Sequence, residues 1–298
     1  MKPESEVGIY SHKKDKLDRE NSKLEASKLS KKNKKLIRNF QDNLSAKGSG
    51  QERISKLTYQ LRKLLEFLKK DLDKLTKIDI EKAISNVNKN ETYSEATKAD
   101  YRRALKQFFR YFRYEDVRFD SDDKIIRKTA DKLYYFIENL SSTYKYNSID
   151  PSTILTDDDI EKVIRHCNNI RDKAFIKFLH ETGLRAGEIL GLKRKHIVIK
   201  KNIGEAYVDG KTGKRTVQFT KSMSYIVRWL DEHPSKDNET FVWLNISNHK
   251  KHTRLRYRFA SEFVKKCFKK AGVTKKHNLH WFRHSRATLN APHWTETI

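Results

Sequence analysis

Between Gln51 and Tyr114 the sequence contains neither glycine nor proline. So long a run without either residue belongs to regular elements rather than turns, and Leu57, Leu61, Leu64, Leu65 and Leu68 recur at helical spacing, which predicts helix. A further helix is expected to open at Thr97, with Asp100 reaching back in a capping box. Along it Tyr101, Leu105, Phe108 and Phe112 line one face, while Arg102, Arg103, Lys106, Arg110 and Arg113 occupy the others. Aromatics so spaced read first as core, and the arginines either as solvated surface or as a face for an anionic partner.

Charge favours the second reading. The 298 residues carry 65 Lys and Arg against 39 Asp and Glu, a formal charge of +26. Residues 1–50 account for 13 basic and 7 acidic residues, or +6, so +20 stays on the rest of the chain. Charge spread along the body suits a groove that follows a phosphate backbone better than it suits one basic tail. Nucleic acid is the expected partner, with Arg102, Arg103, Lys106, Arg110, Arg254, Arg256 and Arg258 as candidate contacts. Only Cys167 and Cys267 occur, without a C-x-x-C pair, so neither a disulfide framework nor a cysteine zinc site is expected. No run approaches the ~18 apolar residues of a membrane span. The expected setting is a reducing cytoplasm, away from membranes.

Composition divides the chain. Residues 1–50 are polar, Lys-rich and end in "SAKGSG", which predicts a flexible basic arm. A small helical domain is expected over 51–145. From about Glu115 the pattern loosens toward "NSIDPSTIL", and 146–152 reads as a linker, since Pro151 pushes its predecessor out of helix. A second domain then opens at a capping box formed by Thr156 and Asp159. After two helices, "HIVIKK", "GEAYVDG" and "RTVQFT" alternate between short Val/Ile-rich runs and turns, which predicts a three-stranded antiparallel sheet. Helices return through "SYIVRWLDEH" and "RFASEFVKKCFKKAG", the latter ending at Gly272. The fold class is therefore mostly α with a small antiparallel β-sheet.

Three motifs in the second domain carry chemistry. In "HETGLRAGEILGL", Gly183 is suited to the left-handed conformation that ends a helix, and Arg185 then projects from the turn. An arginine at a helix start is unfavourable to the dipole, so it needs an anion or a carboxylate, and Glu188 is the local candidate. In "VDGKTGKRTVQ", Lys211 sits in a hairpin turn. This is no phosphate-binding P-loop, because Lys214 is followed by Arg215 and leads into a strand. In "LHWFRHSRATL", His280, Arg283 and His284 share one side of a helical turn. His280 and His284 have the i, i+4 spacing of zinc ligands, but Trp281 stands where a metalloprotease has its glutamate.

In order, spacing and context these motifs resemble the tyrosine recombinase (phage integrase) family, of archaeal type, over roughly Thr153 to Asn290. The helix around Thr97 to Phe112 is similar to part of that family's helical, SAM-like core-binding domain. The resemblance implies a core-binding domain over 51–145 and a catalytic domain over 153–298. It also implies that Arg185 and Arg283 clamp the scissile phosphate, Lys211 protonates the departing 5′ oxygen and His280 supports phosphate and proton handling. By the same resemblance Glu188 buttresses the first arginine and His284 is structural. No metal or other cofactor is implied, and the expected state is a homo-oligomer on an attachment-site duplex. Type IB topoisomerases share the catalytic pattern, but the short chain and the helix pair fit an integrase better.

The chain departs from the family at its end. A further His or Trp and then the nucleophilic Tyr are expected well beyond the His-x-x-Arg motif, whereas no tyrosine follows Tyr257. His293 and Trp294 stand too close to Arg283 for the first of those roles. The expectation is a C-terminally truncated catalytic domain without a nucleophile, inactive alone or completed by a separate C-terminal fragment that supplies the tyrosine. Pro292 is expected to break the helix that bears Arg283.

Overall fold

The computed structural model describes residues 13–144, 150–210, 213–246 and 253–294. Contacts divide the chain into two compact units, one within 12–147 and the other from 148 onward.

The first unit is helical. It contains α1 (Lys13–Ala26), α2 (Lys31–Ala46), α3 (Gln51–Leu68), α4 (Lys77–Lys89), α5 (Glu95–Phe112) and α6 (Lys124–Glu138). Its core joins Leu61 and Leu65 of α3 to Phe108 and Phe112 of α5. The mobile arm expected over 1–50 is corrected here for its larger part. Ile37, Phe40 and Leu44 of α2 fall at i, i+3 and i+7 and are buried, with the Phe40 ring 5.3 Å edge-on from Phe108. Arg62 and Glu20 form a buried ion pair at 2.7 Å between α3 and α1. The apolar stripe of α2 is narrow and diluted by lysines, which is why composition concealed it.

Two further boundaries differ. The cap of α5 is Ser94, whose hydroxyl accepts from the Thr97 N–H at 3.2 Å, so the helix starts ahead of Thr97. The loosened stretch after Glu115 contains α6, which buries Leu133, Tyr134 and Ile137. Of its aromatics, Tyr134 serves the core, 5.5 Å from the Phe109 ring, while Tyr135 stays exposed. Residues 1–12 of the arm and 145–149 of the linker lie outside the described residues.

The second unit packs helices beside a three-stranded antiparallel sheet, which the alternation predicted. Its elements are α7 (Asp157–Arg165), α8 (Ile170–Thr182), α9 (Ala186–Gly191), β1 (Ile197–Ile199), β2 (Gly204–Gly210), β3 (Gly213–Phe219), α10 (Met223–Asp231), α11 (Tyr257–Lys270) and α12 (Leu279–Trp294). The capping box at Thr156 and Asp159 forms, with bonds of 2.9 and 3.3 Å. The strands run in the order β1-β2-β3, and β2 pairs with β3 from Gly204↔Phe219 to Gly210↔Gly213. Almost every side chain of α8 is buried, among them Phe175, Phe178 and Leu179, so this helix is the spine of the unit. The backbone of α12 continues through Pro292 to Trp294, contrary to the break expected there. So near the helix end, the missing proline N–H removes a single bond.

Candidate active site

The site begins where α8 stops. Gly183 takes φ 57° and its N–H bonds back to the Leu179 carbonyl at 2.9 Å, closing the helix as a left-handed cap. Leu184 turns into the core, and Arg185 becomes the residue that opens α9. Glu188 answers the dipole problem from inside the first turn. Its Oε2 accepts the Arg185 backbone N–H at 2.8 Å, and its Oε1 accepts from Arg185 Nη1 at 2.9 Å. The Arg185 side chain remains 36% exposed while that of Glu188 is 3% exposed, so the guanidinium is held from beneath and open above.

Glu188 holds a second arginine that the sequence reading passed over. Arg215 of β3 donates from both terminal nitrogens to the two oxygens of Glu188, at 2.9 Å each. The register explains the direction, because Arg215 lies opposite Val208, whose side chain is buried, and so faces inward with it. Burial alone would raise the Glu188 carboxyl, but the bonds from Arg215 and Arg185 outweigh it and hold the group at about 2. A Cβ on Gly210 would stand 2.2 Å from Glu188 Oε1, so only glycine leaves room for the carboxylate there. The carboxylate thus ties the hairpin to the Arg185 turn. Lys211, assigned to that hairpin's turn, lies outside the described residues.

The third motif arrives on α12. Ser285 Oγ accepts the Leu155 N–H at 3.0 Å, and Trp281 Nε1 donates to the Thr153 carbonyl at 2.8 Å, which fixes the helix to the start of the unit. Phe282 fills the core edge-on to Phe268 at 5.9 Å. Arg283 then reaches the α8 cap, its Nη1 donating to the Gly183 carbonyl at 3.1 Å. His280 is exposed on the same helix, and its ring lies 4.5 Å edge-on from that of His284. Partial burial and the charges of His284, Arg283 and Arg185 keep the His280 pKa below its ordinary value, so the ring is neutral at pH 7. Arg283 is tied to Gly183, two residues ahead of Arg185, and His280 lies about one turn before Arg283 on α12. A neutral imidazole beside two guanidiniums has an N–H to offer an anionic oxygen and a lone pair to take a proton.

A second acid in the same motif, Glu181, is structural. It accepts the backbone N–H groups of Thr220, Lys221 and Ser222 at 2.7, 2.9 and 2.7 Å. Burial would raise its carboxyl, but these bonds and the Ser222 hydroxyl keep it below its ordinary value. No helix of the described residues is long and apolar enough to cross a membrane.

The other candidate contacts are distributed over both units. Arg102, Lys106 and Arg110 follow each other at i, i+4 along α5. Arg102 donates to Asn88 at 2.9 Å, Arg103 to Asp100 at 2.7 Å, and Arg110 makes a two-pronged pair with Glu138 at 2.8 Å on both arms. Arg256 precedes α11, and Arg258 is exposed beside Glu262 at 2.8 Å. Arg254 is instead turned inward. Its Nε donates to the Leu190 carbonyl at 3.1 Å, and its guanidinium lies 4.2 Å over the Phe241 ring.

Comparison with known proteins adds to this geometry. The model of the phage integrase family matches residues 153–290. Tyrosine recombinase XerA of Pyrococcus horikoshii is 28% identical over 172 residues, which cover 52% of this chain and 58% of that protein. Tyrosine recombinase XerA of Saccharolobus solfataricus is 24% identical over 255 residues, or 86% of this chain and 78% of the relative. The fold is similar to a crystal structure of XerH site-specific recombinase bound to palindromic difH substrate in a post-cleavage complex. There the TM-score is 0.62 at 21% identity, with 92% of this chain and 83% of that one covered. The match to the Pyrococcus relative thus spans little more than half of that protein's length.

Proposed function

Since this chain belongs to the tyrosine recombinase family through its phage integrase segment, residues 153–290, we propose that it binds an attachment-site DNA duplex and clamps one phosphodiester between Arg185 and Arg283. The observation that carries the reading is the 3.1 Å bond from Arg283 to Gly183, two residues ahead of Arg185. Two planar guanidiniums at one phosphate would match its non-bridging oxygens in pairs and offset the charge that grows there during displacement at phosphorus. In this reading Glu188, gripped by Arg215, keeps Arg185 in place, His280 handles the proton beside the phosphate, and Lys211 is the donor to the departing 5′ oxygen. The helical unit, through Arg102, Arg103, Lys106 and Arg110, together with Arg256 and Arg258, follows the DNA backbone. Surface pairs such as that of Arg110 with Glu138 contribute little and are readily exchanged for a phosphate. The working form on the duplex is a homo-oligomer.

Strand cleavage by this chemistry needs a phenolate to attack phosphorus. No tyrosine follows Tyr257 among the 298 residues, and these residues supply the clamp and the proton groups. Incubating the 298-residue chain with a nicked duplex enriched by the chain itself from a random pool is expected to give binding without a denaturant-stable adduct. Adding a tyrosine-bearing C-terminal fragment is expected to restore one. An adduct with the chain alone would assign the nucleophile to a tyrosine within these 298 residues.

The basic charge spread along the chain also suits a second reading, a non-catalytic DNA-binding protein such as a regulator or competitor. Substituting Arg185 and Arg283 separates the two. A retained clamp loses phosphate affinity with site preference intact, whereas a pure binder loses no more than any surface arginine would cost.

A further inference from the structure

Cys167 and Cys267 stand 100 positions apart in sequence, yet their sulfurs are 3.1 Å from each other. Cys167 follows α7 and Cys267 lies within α11, and each side chain is 5% exposed inside the apolar core of the second unit. We propose that the two thiols are a redox modification site that closes to an intramolecular disulfide with a hydroperoxide as oxidant. The sulfurs need to approach by only about 1 Å to reach bonding distance. Two cysteines packed merely as small apolar side chains do not require their sulfurs to meet, and any carbon contact would fill the same volume.

The charges around the two sulfurs give them different roles. The Cys167 thiol points at Cys267, and this hydrogen bond, with the charges of Lys270 and Arg171, favours the Cys267 thiolate against burial and Asp172. The same bond, with burial and Asp172, keeps Cys167 protonated, Lys173 alone opposing. The Cys267 thiolate attacks one peroxide oxygen, forming an S–O bond as the O–O bond breaks and hydroxide leaves to become water. Cys167 then loses its proton and attacks the Cys267 sulfenic sulfur, forming the S–S bond as the S–O bond breaks and a second water departs. Two electrons pass from the sulfurs to the peroxide. Hydrogen peroxide is small enough to enter a nearly closed site where a bulky disulfide reagent is not.

The tie has a structural consequence. Cys267 adjoins Phe268, which stacks on His277 at 4.7 Å and meets Phe282 at 5.9 Å, next to Arg283. Closing the bond fastens the floor under α12 to the end of α7 and removes freedom from the unfolded chain over a long loop.

The test treats the full chain with stoichiometric hydrogen peroxide, then uses intact mass, peptide mapping without reductant, and thermal melting. The expected result is loss of two hydrogens per chain, a linked pair of peptides containing Cys167 and Cys267, and a melting point raised by several degrees that dithiothreitol reverses. Cys167→Ser and Cys267→Ser, each folded by circular dichroism, are expected to abolish both the mass loss and the rise. Two thiols still free after treatment, oxygen added to either sulfur without a link, or a disulfide between two chains would overturn the proposal.

Discussion

Arg283 Nη1 donates to the carbonyl oxygen of Gly183 at 3.1 Å, across 100 positions of sequence. The acceptor is the residue that ends α8 and begins the turn to Arg185. One bond therefore joins the last motif of the chain to the first, and the left-handed glycine is what aims that carbonyl outward.

Gly183→Ala tests this turn. At φ 57° an alanine is strained, and its Cβ would stand 3.1 Å from the Arg286 Cβ. A loss of about 1–2 kcal/mol in urea unfolding is expected, together with weaker DNA binding. Unchanged stability would show that the turn tolerates a side chain, and that its geometry does not set the Arg283 bond.

Gly210→Ala acts at a distance on Arg185. A methyl group 2.2 Å from Glu188 Oε1 forces the carboxylate or the strand to move. About 1–3 kcal/mol of stability is expected to be lost, with DNA affinity reduced as in Arg215→Ala. Wild-type affinity in both variants would free Arg185 from dependence on Glu188.

Much of this arrangement was legible in the sequence. The Thr156 capping box, the left-handed Gly183, the period-2 strands and the pairing of Arg185 with Glu188 all follow from local chemistry at fixed spacing. What escaped had non-local causes. Arg215 gains its role only from the β2–β3 register, which turns it inward toward a carboxylate 27 positions earlier. Arg254, expected at DNA, is drawn inward by the Leu190 carbonyl and the Phe241 ring, neither of them a sequence neighbour. The α2 helix hid because a few buried residues sufficed once α3 and α5 supplied the opposing face.

Acid stability follows from Glu188. Its pKa falls from 4.5 to about 2 on folding, so its contribution is complete above pH 4.5 and is lost as pH drops toward 2. Glu188→Gln is expected to be less stable at pH 7 but to lose less further stability between pH 5 and 3, as followed by urea unfolding. Parallel pH curves for the two proteins would mean that the carboxylate is not held ionised by its arginines.

His280 predicts the pH dependence of binding. In the free protein its pKa is lowered by burial and by the charges of His284, Arg283 and Arg185. A phosphate between the arginines offsets that repulsion, so binding takes up a proton and affinity is expected to rise as pH falls from 7.5 to 6. His280→Asn is expected to flatten the trend in fluorescence titrations. An equal trend in the variant would assign the proton to another group.

The claim beneath all of these is that Arg185 and Arg283 hold one phosphate between them. A double-mutant cycle with Arg185→Ala and Arg283→Ala measures it, using affinity for a duplex enriched by the chain from a random pool. The account predicts coupling of about 1–3 kcal/mol, the second substitution costing much less once the first is made. Strictly additive losses would place the arginines on separate phosphates and contradict it.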